Sequence, residues 1–235
     1  MCGRFNVIDS PEVQSLLKHL GITSGQLRFT PDAAPGSIIS IVYDSDAGPV
    51  VSDAIWWLLL DPGTLKPNYR YATFNSRWDK LNSKGSLGYQ PYRKRRCIIP
   101  ASAFIEGLGD KRSYHKIHLQ DCAIAFGGLY TRYVNKQTGE SAYAASIITL
   151  GALPQWENIH PKSMPLMLPF EEEGVIKAWL DKDNQDVAQF EDLLVPRVRE
   201  TQVVTPIGKP GQWDTKGPSW TIKPATLSAR NEDIS

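Results

Sequence analysis

The 235-residue sequence has few of the features that mark secreted, membrane-spanning or metal-binding proteins. It contains only three cysteines, too few for a disulfide framework, which predicts a reducing compartment such as the cytoplasm or nucleus. No apolar run approaches the roughly 20 residues that a transmembrane helix needs. The opening segment MCGRFNVIDS lacks the apolar stretch of a secretory signal. No Cys/His cluster has zinc-ligand spacing, so we expect no metal and no cofactor.

The sequence also has almost no excess of positive or negative charge. The formal net charge is only +1, from 26 Lys and Arg residues against 25 Asp and Glu residues. An anionic partner would therefore have to bind a local basic patch rather than a polycationic chain. The content of 41% hydrophobic and 22% charged residues is that of a soluble globular protein, which excludes a disordered chain or a coiled coil.

The predicted secondary structure is rich in strands. The clearest helix begins after Ser10, which can cap it, and ends before Gly21, with one apolar stripe between them. Two further helices are predicted over residues 171–180 and 185–194. Strand propensity and turn residues predict a hairpin and several other strands over residues 38–43, 50–57, 96–99, 114–119, 122–126, 143–150 and 203–204.

This order of elements does not alternate as a doubly wound sheet would. We therefore predict one compact α+β domain over residues 1–217, dominated by β-structure and carrying a few peripheral helices. Residues 218–235 mix polar residues and prolines without a clear period. They are predicted to form a flexible C-terminal tail, part of which Trp220 and Ile222 could fix.

The N-terminal Met1-Cys2 pair carries the most specific chemistry. A small second residue generally permits removal of the initiator methionine, which would leave an α-amine and a thiol together on Cys2. An α-amine titrates near about 7.7–8.0 and a cysteine thiol near about 8.5, so both nucleophiles are accessible around neutral pH. With an aldehyde they can form an imine and then a five-membered thiazolidine, which requires both groups on one residue. The alternative is that a cysteine at this position is incidental.

Several short motifs stand out along the chain. They are MCGRF at residues 1–5, DAAPG at 32–36, WWLL at 56–59, NSR at 75–77, RCIIPA at 96–101, FIE at 104–106, IH at 159–160 and MP at 164–165. Together these motifs resemble the SRAP family, the SOS-response-associated peptidases or abasic-site processing proteins. They occur in the family's order over about residues 1–208, and together they are specific. The resemblance implies a compact β-rich domain with one cleft.

The resemblance also implies an activity in DNA damage repair. In the family the cysteine corresponding to Cys2 links covalently to the ring-opened abasic sugar of single-stranded DNA, which shields the lesion. By the same resemblance Glu106 transfers protons during imine formation and ring closure, and His160 is a second acid/base group acting on the sugar oxygen. Asn75 would orient the sugar or the amine. The family name implies a peptidase-like removal of Met1 in addition to the lyase-type crosslinking.

DNA contacts are assigned first to Arg4 and Arg77, which the resemblance implies as phosphate ligands. Such a partner predicts a nucleoid-associated protein in a bacterial cytoplasm, or a nuclear protein in a eukaryote. Basic residues among aromatic ones also suit single strands, because cations contact phosphates and rings stack on bases. Residues 66–78 hold such a group, and residues 93–96 (RKRR) form the densest basic run, for which a solvated loop is the alternative.

The sequence departs from the family's usual pattern at four places. Asp32 stands where asparagine is common, Asp79 where glutamate is common, and Gly107 where tryptophan is frequent. The segment from His160 to Pro165 is one residue longer than the usual His-x-Arg-Met-Pro arrangement. The extra residue could rotate the imidazole of His160 relative to Cys2, or Lys162 could stand in for the arginine.

Other candidates have plain structural explanations. Glu106 could be a surface charge at the end of a strand. His115 and His118 lie three apart in a predicted strand, so they should point to opposite faces and not share a metal. Cys97 and Cys122 lie in apolar runs and are predicted to be core residues. Of Trp56 and Trp57, one is expected in the core and one in a cleft wall.

Two other functions remain open from the sequence. The chain could be a cysteine peptidase that acts through the Cys2 thiol, with His160 as its base. It could also bind single-stranded DNA without any covalent chemistry.

Overall fold

The structure is a computed structural model that describes residues 3–172 and 174–224. Strands dominate it, which confirms the predicted β-rich α+β fold. The helices are α1 (Pro11–His19), α2 (Tyr89–Lys94) and α3 (Val175–Leu180). The strands are β1 (Phe5–Val7), β2 (Thr30–Ala33), β3 (Ile38–Ser45), β4 (Gly48–Ile55), β5 (Asn75–Arg77), β6 (Arg96–Ala101), β7 (Ala103–Gly107), β8 (Tyr114–Leu119), β9 (Ile124–Val134), β10 (Ser141–Gly151), β11 (Ser163–Pro165), β12 (Gln202–Ile207) and β13 (Trp220–Ile222).

The strands form two sheets. One sheet has the order β13-β12-β8-β7-β1-β2. In the other, the path β10-β4-β3-β6-β9 closes on itself because β9 also pairs with β10, and this makes a five-stranded barrel. Strands β5 and β11 add to β10, and β5 runs parallel to it.

Aromatic side chains fill the space where the first sheet packs on the barrel. Phe104 of β7 lies 5.5 Å from Phe126 of β9 between ring centres, and it stacks on Trp156 at 6.1 Å. Phe5 of β1 packs edge-on against Trp56 at 4.8 Å. All five side chains are fully buried, so they join β1 and β7 to the barrel through one continuous core.

The first helix and the hairpin of β3 and β4 form where the sequence predicts them and for the same reasons. The Ser10 hydroxyl accepts a hydrogen bond from the Val13 amide at the start of α1, and Gly21 follows the helix with a φ of 70°. Strands β3 and β4 pair from Ile38 with Ile55 to Ser45 with Gly48. Both predictions are confirmed. Residues 61–70 form a loop that contains no strand or helix.

Two of the predicted helices need correction. Residues 185–194 form two short 3-10 helices, Val187–Phe190 and Asp192–Leu194, instead of one α-helix. The Asp186 carboxylate caps the first of them. The predicted helix over residues 171–180 is present only from Val175, because Gly174 precedes it with a left-handed φ of 82° that breaks the helical backbone.

The C-terminal region adds an edge strand. Strand β13 pairs antiparallel with β12, so Trp220 and Ile222 are held against the first sheet. Residues 225–235 lie outside the described residues, and the flexible tail stays a prediction. No helix in the described part of the chain is long and apolar enough to cross a bilayer.

The basic run at residues 93–96 is not a solvated loop, because Arg96 is only 3% exposed. Its guanidinium donates to backbone carbonyl oxygens of α2, of α3 and of the segment after α3, and so connects these three parts of the chain. The acceptors are the carbonyl oxygens of Trp179 at 2.7 Å, Tyr92, Asp181 and Asn184 at 2.8 Å, and Arg93 at 3.0 Å.

We expect Arg96→Met to destabilise the fold by about 3 kcal/mol or more, because it leaves buried carbonyl groups without donors. Urea unfolding would measure the loss. Lys94→Met is the matched control, since Lys94 is exposed in the same run and should change stability by less than about 0.5 kcal/mol. Equal stability of the two variants would contradict a structural role for Arg96.

Candidate functional site

Glu106 is a buried carboxylate, only 2% exposed. It lies in β7 two residues after Phe104, and because side chains alternate along a strand, both face the aromatic core. The alternative that Glu106 is a surface charge is therefore wrong.

His160 lies beside Glu106. Its amide donates to the Trp156 carbonyl at 2.9 Å, which fixes the backbone after the short 3-10 helix Pro154–Trp156. Its Nδ1 is 2.7 Å from the Gly107 carbonyl oxygen and 3.8 Å from Glu106 Oε2. Since a carbonyl can only accept, Nδ1 carries the proton and Nε2 has the lone pair in the neutral ring. The longer segment after His160 thus still leaves the imidazole next to the carboxylate.

Burial shifts the pKa values of this pair in opposite directions. It raises the pKa of Glu106 to about 7, because the charged carboxylate is poorly solvated. It lowers the pKa of His160, and the hydrogen bond to Gly107 opposes that shift. Near neutral pH a protonated carboxyl and a neutral imidazole are both populated, so one group can donate a proton while the other accepts one.

Gly107 lies beside Glu106 and His160, since its carbonyl accepts the hydrogen bond from the imidazole. In the pairing of β7 with β8 it lies opposite Tyr114, and a Cβ added at Gly107 would be 3.0 Å from two carbons of the tyrosine ring. The tyrosine ring therefore occupies the space that a side chain at position 107 would need. Sequence reasoning missed Tyr114, because its contact with Gly107 depends on a strand register that no motif encodes.

The described chain begins next to this group. Phe5 is opposite Phe104, and the Ile105 amide donates to the Arg4 carbonyl at 2.8 Å. In the antiparallel direction the chain from Arg4 back to Gly3 therefore runs along β7 toward Glu106. Cys2 lies outside the described residues, and its role stays a prediction.

Asn75 begins β5 in the second sheet, opposite Ile147 of β10. The buried Trp56 links it to the first sheet, because the indole contacts Phe5 and also Phe74, the residue before Asn75. The indole N–H donates to the Phe74 carbonyl at 2.9 Å. Asn75 also lines a pocket of about 190 Å³ with Thr73, Ser76, Arg77, Lys80, Leu81, Ser86, Leu87 and Gly88.

Arg4 and Arg77 each pair with an aspartate. Arg4 Nη1 donates to Asp32, whose other oxygen accepts from Trp213 Nε1 at 3.1 Å. Arg77 holds Asp79 through two bonds of 3.0 and 2.7 Å, and its side chain is 69% exposed. The two aspartates that depart from the family pattern are thus the partners of the two predicted DNA-contacting arginines.

Aromatic rings are exposed on the loop before β5 and just after that strand. Tyr69, Tyr71 and Trp78 are 71%, 51% and 43% exposed. The Arg70 guanidinium lies 5.6 Å from the Tyr71 ring centre, and Tyr69 packs edge-on against the buried Trp57 at 5.1 Å. Three aromatic rings and the Arg70 guanidinium are therefore exposed to solvent on either side of β5.

The remaining cysteines and histidines form no second site. Burial raises the pKa of the Cys97 thiol strongly, and it raises that of the half-buried Cys122 to about 12, so neither is a ready nucleophile. His115 and His118 occupy positions of opposite parity in β8, as predicted. In residues 3–172 and 174–224 no group of three side chains could hold a metal ion.

The fold is therefore a five-stranded β-barrel flanked by a second sheet, with a buried carboxylate and an imidazole beside the N-terminal strand. The family described as SOS response associated peptidase (SRAP) matches residues 1–210, and the chain belongs to this family.

Relatives agree with this assignment, and solved structures share the fold. The chain is 30% identical to the abasic site processing protein YoqW of Bacillus subtilis over 83% of its own length and 87% of the relative's. It is 29% identical to YobE, another abasic site processing protein of that species, over 83% of this chain and 89% of the relative. A crystal structure of a Bacteroides thetaiotaomicron protein has a TM-score of 0.67 at 23% identity, covering 88% of this chain and 92% of that one. One from Bordetella bronchiseptica has a TM-score of 0.66 at 18% identity, covering 88% and 99%.

The raised pKa of Glu106 predicts a pH dependence of stability. Since the folded protein holds the proton up to about pH 7, against an ordinary value of 4.5, this contribution is full below pH 4.5 and declines as pH rises to about 7. Glu106→Gln should remove that decline in urea unfolding measured from pH 4 to 8. The exposed Glu157 supplies the control, Glu157→Gln, which should keep it. An unchanged profile in Glu106→Gln would show that Glu106 does not titrate in this range.

Proposed function

We propose that this protein processes abasic sites in single-stranded DNA by forming a thiazolidine between Cys2 and the sugar aldehyde, after Met1 has been removed. The observation that carries the proposal is the buried Glu106–His160 pair, 3.8 Å apart, next to the start of β1. Membership of the SRAP family and the abasic-site processing names of its relatives support it.

The reaction requires several proton transfers. His160 would take the proton of the sugar's hemiacetal hydroxyl at Nε2 and return it to the ring oxygen as the ring opens to the aldehyde. The Cys2 amine then attacks the aldehyde carbon, and Glu106 protonates the hydroxyl group that leaves as water. The Cys2 thiol adds to the carbon of the resulting iminium, and its proton passes to the Glu106 carboxylate, which restores the carboxyl group. The net reaction joins amine, thiol and aldehyde into one ring and releases one water.

The two groups suit these steps because of their environment. A carboxyl with a pKa of about 7 can donate a proton at neutral pH and recover it. A histidine whose Nδ1 is held by the Gly107 carbonyl presents one defined lone pair at Nε2. The same pair would act in the removal of Met1, where a carboxylate can activate water for attack on the peptide bond.

DNA binding is proposed for two surfaces. Arg4 and Arg77 would contact phosphates on either side of the lesion, with Asn75 orienting the sugar. The exposed Tyr69 and Tyr71 would stack on bases, which requires the unpaired bases of a single strand. Each arginine would bind a phosphate either together with its aspartate partner or in place of it. Because these contacts are between opposite charges, binding should weaken as salt rises.

Cys2→Ala and Cys2→Ser should abolish the stable adduct, because each removes the sulfur that closes the ring. The measurement is a denaturing gel of protein incubated with an oligonucleotide carrying one abasic site, on which only a covalent complex survives. Cys122→Ser is the matched control and should crosslink normally, since its thiol is half-buried and has a raised pKa. A normal adduct in Cys2→Ser would refute the thiazolidine.

The same assay separates the alternatives. Blocking the α-amine while sparing the thiol should stop crosslinking, whereas a peptidase that uses only the thiol would keep its activity. A module that binds DNA without covalent chemistry would give no band that survives denaturation.

Glu106→Gln should slow crosslinking by roughly 10²-fold, the usual scale for removing one general acid or base. Affinity for an undamaged single strand should not change, because Glu106 is buried and cannot contact phosphate. Single-turnover kinetics and fluorescence anisotropy measure the two quantities on one preparation. A large loss of affinity would instead assign Glu106 a structural role.

A further inference from the structure

The loop of residues 208–216 lies in the connection from β12 to β13. It reaches Asp32 of β2 and Arg4, the residue before β1. Its own backbone hydrogen bonds hold it in shape, since the Gly208 amide donates to the Asp214 carbonyl at 3.0 Å and the Lys216 amide to the Pro206 carbonyl at 2.8 Å. From this loop the Trp213 indole N–H donates to Asp32 Oδ1 at 3.1 Å. Asp32 Oδ2 in turn accepts from Arg4 Nη1, so one carboxylate joins the loop to Arg4.

Two residues of this loop have a left-handed backbone. Trp213 has a φ of 59°, a left-handed conformation that is unfavourable for a bulky residue. Such a conformation persists only where the surroundings hold it, and here the hydrogen bond to Asp32 does so.

Gly211 has a φ of 91°, and a Cβ at that position would be 2.8 Å from Arg4 Nη1 and 3.4 Å from Arg4 Cζ. The approach of the loop to Arg4 therefore requires glycine both for its backbone conformation and for space. The loop and the arginine side chain are fitted to each other.

This arrangement orients Arg4 without using up its donors. In the described part of the chain the guanidinium donates to Asp32 alone, and only through Nη1. Its Nε and Nη2 groups form the opposite edge, which is the edge that can bind two oxygens of one phosphate. The Arg4 side chain is 27% exposed, so part of it is reachable from solvent.

We infer that Trp213 is a positioning residue that fixes Arg4, through Asp32, in the orientation that binds a phosphate of single-stranded DNA. The inference rests on the phosphate contact proposed above for Arg4. A guanidinium that is already oriented loses less conformational freedom on binding than one that is free to rotate, so affinity depends on the indole N–H.

Trp213→Phe tests this directly, because it keeps an aromatic ring and the charge of the protein but removes the donor to Asp32. The probe is a short single-stranded oligonucleotide without an abasic site, and its dissociation constant is measured by fluorescence anisotropy. We expect the constant to rise roughly three- to tenfold. In the Arg4→Ala background Trp213→Phe should have less than about a twofold effect, since the coupling passes through Arg4.

Gly211→Ala and Gly48→Ala form a matched pair that separates backbone strain from displacement of Arg4. Gly48 has a φ of 94° but nothing within 4 Å of its Cβ position, so both variants strain the backbone and only Gly211→Ala presses on the guanidinium. Gly211→Ala should weaken DNA binding, and Gly48→Ala should not. Thermal unfolding of each variant confirms that both are folded at the assay temperature.

The outcomes are distinguishable. If Arg4→Ala weakens binding but Trp213→Phe does not, or if Trp213→Phe weakens it equally without Arg4, the positioning role is wrong and the DNA-processing function stands. If Arg4→Ala has no effect, the phosphate contact and the positioning role fail together. Loss of crosslinking in Cys2→Ser is measured separately and decides the covalent chemistry alone.

Discussion

The antiparallel pairing of β1 with β7 is the constraint on which the site depends. Phe5 opposite Phe104 places both rings in the shared core, and the hydrogen bond from Ile105 to the Arg4 carbonyl continues the pairing toward Gly3. Because side chains alternate along a strand, a shift of one residue would turn Phe5 out of the core and Arg4 into it. The large apolar burial around Phe5 therefore fixes the register that directs Gly3 toward Glu106.

Burying an acid and a base side by side changes which protonation state of the pair is favoured. A low dielectric disfavours both the carboxylate and the imidazolium, so burial stabilises the neutral pair relative to the ion pair. In water the ion pair of such groups would be favoured between their ordinary pKa values. Glu106 can thus donate a proton while His160 can accept one, which suits the proposed reaction, whose steps alternate between donation and acceptance.

The sequence predicted those parts of the structure whose causes are local. Helix α1 has its cap and its terminating glycine within a dozen residues, and strand β8 is encoded by a period of two. The candidate site residues came from the motifs of a family, not from spacing. The burial of Glu106, the five carbonyl partners of Arg96 and the contact of Trp213 with Asp32 all depend on distant segments brought together by the sheets, which local patterns cannot encode. Residues 185–194 were predicted wrongly because an apolar pattern alone does not separate an α-helix from consecutive 3-10 turns.

The contact of Tyr114 with Gly107 also limits how this site can diverge. Two aromatic side chains cannot occupy the single space above residue 107, because even one added carbon there would be 3.0 Å from the tyrosine ring. A large residue at position 107 therefore demands a small or differently directed residue at position 114, and the reverse holds as well. Substitutions at these two positions are therefore expected to occur together, so that only one of the two residues carries a large ring.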